Sequence, residues 1–154
     1  MIENSQEEIV LAFVGVSLKN NKEQQELARL INENHRPIIL CTGNAGTGKT
    51  FAALAAALQL KLEKKYKTIV YGRNPMPLGE DMGFLPGGVD EKYGPYMGPL
   101  YDNLEAIASL SSENLNPREL AQRIEMIPIA FLRGRSFRDT ILIIDEAQNL
   151  DLTA

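Results

Sequence analysis

The eight residues Gly43-Asn44-Ala45-Gly46-Thr47-Gly48-Lys49-Thr50 fit the pattern G-x-x-x-x-G-K-[ST] without a gap, and few short motifs constrain a fold so tightly. The pattern works only where a strand enters it and a helix leaves it. Upstream, Ile38-Ile39-Leu40-Cys41 follows Pro37 as a short all-apolar run, which predicts a central parallel strand buried on both faces, with Cys41 packed in the core. Downstream, residues 49–65 are rich in Ala and Leu and contain neither Gly nor Pro, and Lys61, Lys64 and Lys65 suit the negative end of a helix dipole. The glycines let the backbone turn so that successive N–H groups point at the β-phosphate of a nucleotide, aided by the partial positive charge of the helix N-terminus. Lys49 is then expected to reach the β- and γ-phosphates, and the Thr50 hydroxyl to bind Mg²⁺. A purely structural strand-to-helix turn would account for the glycines but not for Lys-Thr at this offset.

A second motif follows the strongest strand signal of the chain. Thr140-Ile141-Leu142-Ile143-Ile144 leads into Asp145-Glu146, and this run is expected at the centre of the sheet. An acid at the end of such a buried strand holds Mg²⁺ in phosphoryl-transfer sites, so Asp145 is assigned to the metal. Glu146 is the natural group to polarise an attacking water, which a hydrolase needs and a kinase with its own nucleophile does not. The pair therefore favours ATP hydrolysis over small-molecule kinase chemistry.

Between the two motifs the pattern alternates strand and helix. Thr68-Ile69-Val70-Tyr71 is β-branched and apolar and lies one long helix after residues 38–41, which predicts a right-handed βαβ unit and a parallel sheet. Residues 20–34 place Leu27, Leu30 and Ile31 at helical spacing. Pro99 and Pro117 each open a predicted helix, over residues 99–110 and 117–127, with Asn116 as an N-cap. Residues 127–132 could form another strand, which Pro128 confines to a strand end or a sheet edge. The separation of Lys49 from Asp145 leaves room for an added strand between the two motif-bearing strands. The fold class expected is α/β, a three-layer P-loop NTPase with a mainly parallel central sheet of the RecA/helicase-like, additional-strand class.

Composition narrows the function further. At 154 residues and 44% apolar content, the chain fits one domain able to cover a modest sheet. A net charge of −4 argues against general coating of nucleic-acid phosphates. A local groove stays open, because arginines outnumber acids between Pro117 and Asp139 while acids dominate residues 1–34. The single cysteine and the lack of a basic-then-apolar leader predict a reducing, cytoplasmic setting. The longest apolar stretch, residues 51–60, is interrupted by Gln59 and falls short of the roughly 20 residues a membrane span needs.

Several motifs in a fixed order resemble the PhoH-like proteins, a family of ATPases related to superfamily 1 helicases. They are the phosphate loop, Gly79-Glu80-Asp81-Met82-Gly83-Phe84-Leu85-Pro86-Gly87, Pro99-Leu100-Tyr101-Asp102-Asn103-Leu104, Phe131-Leu132-Arg133-Gly134-Arg135 and Asp145-Glu146-Ala147-Gln148-Asn149. The resemblance implies that Gln24 reads the adenine edge, for which a primary amide carries both a donor and an acceptor; Gln25 is its rival. It also implies that Gln148 couples the γ-phosphate to a nucleic-acid site, that RNA or single-stranded nucleic acid is a partner, and that a homo-oligomer can complete the site. Arg133 and Arg135 become candidates for a phosphate backbone or for stabilising the γ-phosphate in trans. Residues 79–87 would form a hinged segment or a rigid surface loop. Arg73 matches the family's arginine after the second strand, whereas Asn74 and Gly98 stand where proline and arginine are usual.

Family members continue past the Asp-Glu motif with a helix and a strand bearing a polar sensor. Residues 1–154 therefore read as one P-loop NTPase domain shortened at its C-terminal end. Two functions follow: a nucleic-acid-linked ATPase using Lys49, Thr50, Asp145 and Glu146, or a nucleotide-dependent interaction module that binds ATP with little turnover.

Overall fold

Alanine-rich sequence gives the molecule its central helix. The computed structural model describes residues 10–12, 14–18, 21–33, 35–73 and 97–150. Helix α2, Lys49–Leu62, buries Ala52 and the whole of residues 54–60. A helix apolar on every side belongs inside a protein, and the small alanines let its neighbours approach closely. Helix α1 (Lys22–Glu33), helix α3 (Gly98–Leu110) and strands β3 (Thr68–Arg73) and β5 (Thr140–Asp145) all pack on it. Its one buried polar side chain, Gln59, accepts from the Val14 backbone N–H at 3.3 Å and donates to Glu63 at 2.5 Å, so the amide is not stranded in the core.

Val14 belongs to a short antiparallel hairpin, β1 (Val10–Leu11) and β2 (Val16–Ser17), which the sequence patterning did not reveal. Its turn is fastened to the end of α3: Ser112 N–H donates to the Gly15 carbonyl at 2.7 Å and the Ser111 hydroxyl to the Val14 carbonyl at 2.6 Å.

The sheet is parallel, as expected, with strand order β4-β3-β5. Strand β4, Ile124–Pro128, follows the short helix α4, Pro117–Ala121, whose N-cap Asn116 accepts from the Arg118 backbone N–H at 2.9 Å. The helix expected over residues 117–127 thus ends early, and its last residues join the strand. Pro128 closes that strand at a sheet edge, the position a residue without an N–H donor tolerates. Among the described residues β3 is the only strand paired on both sides, and Ile69, Val70 and Tyr71 are fully buried.

Two expectations are corrected. Among the described residues β5 lies at the edge, not the centre, and Leu142 is 41% exposed. Residues 38–41 form no strand: Ile38 is 84% and Leu40 81% exposed, and Cys41 lies at the surface. An apolar run reports only the capacity to form a strand, and pairing needs an edge at the right place; among the described residues β5 pairs with β3 alone. Residues 79–87 lie outside the described residues. Among the described residues no helix is long and apolar enough to cross a membrane.

The exposed setting of Ile38 has a measurable consequence. Ile38→Ala should change unfolding free energy in urea by less than about 0.5 kcal/mol. Ile69→Ala, in the central strand, should cost about 2–5 kcal/mol. A comparable loss at Ile38 would return residues 38–41 to the core.

Candidate nucleotide and metal site

Parallel strands carry their functional groups at their carboxyl ends, outside the sheet. In register, Arg73 of β3 stands opposite Asp145 of β5. The N-terminus of α2 arrives at the same end and brings Thr50, whose hydroxyl donates to Asp145 Oδ1 at 3.0 Å. The two sequence motifs therefore meet at one hydrogen bond. Asp145 Oδ2 accepts from the Tyr71 hydroxyl at 2.6 Å and faces Arg73 Nη1 at 3.6 Å. Burial, together with the hydrogen bond and negative charge of Asp145, pushes the Tyr71 phenol well above its ordinary pKa, so it stays a donor.

The phosphate loop is held open by its own side chains. Lys49 Nζ donates to the carbonyls of Gly43 at 2.9 Å and Asn44 at 2.6 Å, spanning the loop, and the Thr47 hydroxyl donates to the Asn44 carbonyl at 3.0 Å. Gly48, the last residue before α2, has φ of +78°, and a Cβ there would lie 2.3 Å from Gln24 Nε2. The left-handed backbone requires glycine, and any larger residue would also displace the Gln24 amide.

Gln24 presses on this loop from outside, and its Nε2 donates to the Thr47 carbonyl at 3.0 Å. A carbonyl can only accept, so the amide must turn its NH₂ group to the loop. Asn21 caps the start of α1 by accepting from the Gln24 backbone N–H at 3.0 Å. Gln25 is committed elsewhere and donates to the Leu18 carbonyl at 2.6 Å. Of the two glutamines, only Gln24 is placed against the loop. Beside it opens a cleft of about 390 Å³, lined by Asn21, Gln24, Thr47, Gly48, Phe51 and Leu110 among others. It is a shallow cleft, widely open to solvent.

Glu146 follows Asp145 in the left-handed region, at φ 53°, a conformation a non-glycine residue adopts at a cost and that clusters at functional sites. Its carboxylate accepts from the Gln148 amide. Arg135 is engaged with Glu125 at 3.0 Å and lies over the Phe137 ring at 5.2 Å, so its guanidinium is partnered within the chain, while Arg133 is exposed.

The donors suit a hard divalent cation. A hydroxyl and a carboxylate oxygen stand 3.0 Å apart at Thr50 and Asp145. Among the described residues no cluster of three or more His, Cys, Asp or Glu forms a dedicated cage. Mg²⁺ is commonly bound in this way, by one or two protein oxygens with water and nucleotide phosphates completing the shell. Tyr71 was not singled out by sequence patterning. Its signal there is only a phenol inside an otherwise aliphatic buried strand.

Comparison with known proteins identifies the family. The profile described as PhoH-like protein matches residues 17–154. Protein PhoH2 of Bacillus subtilis strain 168 is 41% identical over 140 residues, covering 88% of this chain and 31% of that protein. Protein PhoH of Escherichia coli K12 is 35% identical over 133 residues, covering 86% of this chain and 37% of that protein. A PhoH-like protein of Mycobacterium tuberculosis H37Rv is 41% identical over 113 residues, covering 73% and 31%. The chain thus spans about a third of the length of these curated relatives. It belongs to the PhoH-like protein family.

Proposed function

We propose that this chain is a cytoplasmic, Mg²⁺-dependent ATPase whose turnover is coupled to RNA or other single-stranded nucleic acid. Membership of a family that is generally of P-loop ATPases supports nucleotide use. The observation that carries the reading is the Thr50–Asp145 hydrogen bond, which joins the phosphate loop to the second acidic motif at the carboxyl end of the sheet.

The residues divide the work. Backbone N–H groups of residues 43–50 and the N-terminus of α2 receive the phosphates. Lys49 exchanges the Gly43 and Asn44 carbonyls for β- and γ-phosphate oxygens. Thr50 and Asp145 would hold Mg²⁺, which would supply neutralisation of the charge developing on the phosphate oxygens. Glu146 accepts the proton of the attacking water. Gln148, bonded to Glu146 here, senses the γ-phosphate and passes its state to the nucleic-acid surface, where Arg133 is a candidate contact. In the cleft, the Gln24 amide keeps its NH₂ on Thr47 and presents its oxygen to the 6-amino group of adenine. A homo-oligomer would let a neighbouring subunit contribute to the same site.

A second reading draws on the same contacts. Glu146 is tied to Gln148, and a chain that keeps this contact with ATP bound would act as a nucleotide-dependent interaction module with little turnover.

Steady-state hydrolysis with and without single-stranded RNA separates the readings. Glu146→Gln should lower the rate by about 100-fold or more while ATP affinity is kept. An unchanged rate removes Glu146 as the base, and tight ATP binding without turnover in the wild type favours the interaction module. Gln24→Ala should weaken ATP binding by about 3–10-fold, the worth of one hydrogen bond, and leave GTP binding unaltered. Equal losses for both nucleotides would mean that Gln24 supports the loop and does not read the base.

A further inference from the structure

Asp145 has two oxygens with different duties. Oδ1 accepts a hydrogen bond from the Thr50 hydroxyl at 3.0 Å, and Oδ2 accepts one from the Tyr71 phenol at 2.6 Å. Arg73, the cation opposite Asp145, stands a full ångström further from Oδ2, at 3.6 Å. The neutral donor is therefore the closer partner of the carboxylate.

Register explains how the phenol gets there. Tyr71 pairs with Ile143, and Arg73 with Asp145. Residues two apart on a strand share a face, so Tyr71 reaches Asp145 along the diagonal, a distance long aromatic side chains can bridge. Tyr71 is fully buried between the equally buried Val70 and the buried Gly72. A phenylalanine there would fill the same space without a polar atom to satisfy. The hydroxyl earns nothing from packing; its short bond to an ionised acceptor is of the strong, orienting kind.

We propose that Tyr71 is a positioning residue for the metal site: by fixing Oδ2 it aims Oδ1 at the Thr50 hydroxyl, which would leave the Thr50 oxygen lone pairs free to take a metal. A hydroxyl that gives its proton to a carboxylate is a better metal ligand than one free to rotate. Tyr71 acts through Asp145 and touches neither nucleotide nor metal. Removing such outer partners typically weakens metal binding by 10–100-fold.

The inference rests on the assignment of Mg²⁺ to Thr50 and Asp145, and the test keeps the two apart. ADP affinity is measured by calorimetry with excess Mg²⁺ and again with EDTA, and the ratio reports coupling between metal and nucleotide. The wild type should bind ADP more tightly with Mg²⁺; no enhancement would sink the metal assignment itself. Tyr71→Phe should lose about tenfold or more of the enhancement, with its EDTA affinity unchanged. Loss of affinity in both conditions, or full enhancement, would overturn the positioning role. The same substitution on an Asp145→Asn background should cost nothing further, because the oxygen it orients has lost its charge. An equal loss in both backgrounds would show a merely structural tyrosine.

Discussion

The hydrogen bond from the Thr50 hydroxyl to Asp145 ties together parts of the chain that lie 95 residues apart. Everything else in the structure serves to bring those two atoms to one place. Helix α2 is held from every side by α1, α3 and the strands β3 and β5, so its N-terminus cannot drift from the end of β5. Parallel pairing of β3 with β5 sets the other coordinate, because the register that aligns Arg73 with Asp145 also brings the Tyr71 phenol to the same carboxylate. A phosphate loop alone specifies an anion cradle; its junction with an oriented carboxylate is what the proposed metal-bound nucleotide site requires.

The same end of the sheet carries charge of both signs in close balance. Arg73 lies against Asp145, Lys49 lies on its own loop carbonyls, and Glu146 is engaged by Gln148. Each group assigned to phosphate chemistry has an internal partner it can exchange for a nucleotide or water. Such partners hold the side chains near their working positions, so less order has to be imposed when the ligand arrives.

The local chemistry was legible in the sequence, and the pairing was not. Residues 43–50 announced a turn and a helix start because Gly48 must take a left-handed φ and Lys49 opens a run of strong helix formers. Helix α3 and the N-cap at Asn116 were readable for the same reason. Residues 38–41 misled because their apolarity says nothing about which edge awaits them, and the edge placement of β5 is equally non-local. The hairpin of β1 and β2 escaped notice because its strands are only two residues each. At the proposed site, the two motifs that contribute Thr50 and Asp145 were visible from spacing and type, and the structure brings those side chains together. The Tyr71 contact with Asp145 was not visible, since it depends on a diagonal across two strands that only the register reveals.

The central claim, that this loop and this carboxylate form a Mg·ATP site, is tested most directly by calorimetric titration of the chain with Mg·ATP, comparing the wild type with Lys49→Ala. Loss of the cation that spans the phosphates should weaken binding by at least about tenfold, the lower end expected for a charge-assisted contact, with the melting temperature maintained. Equal affinity in the two proteins would contradict the assignment of residues 43–50 as the nucleotide site.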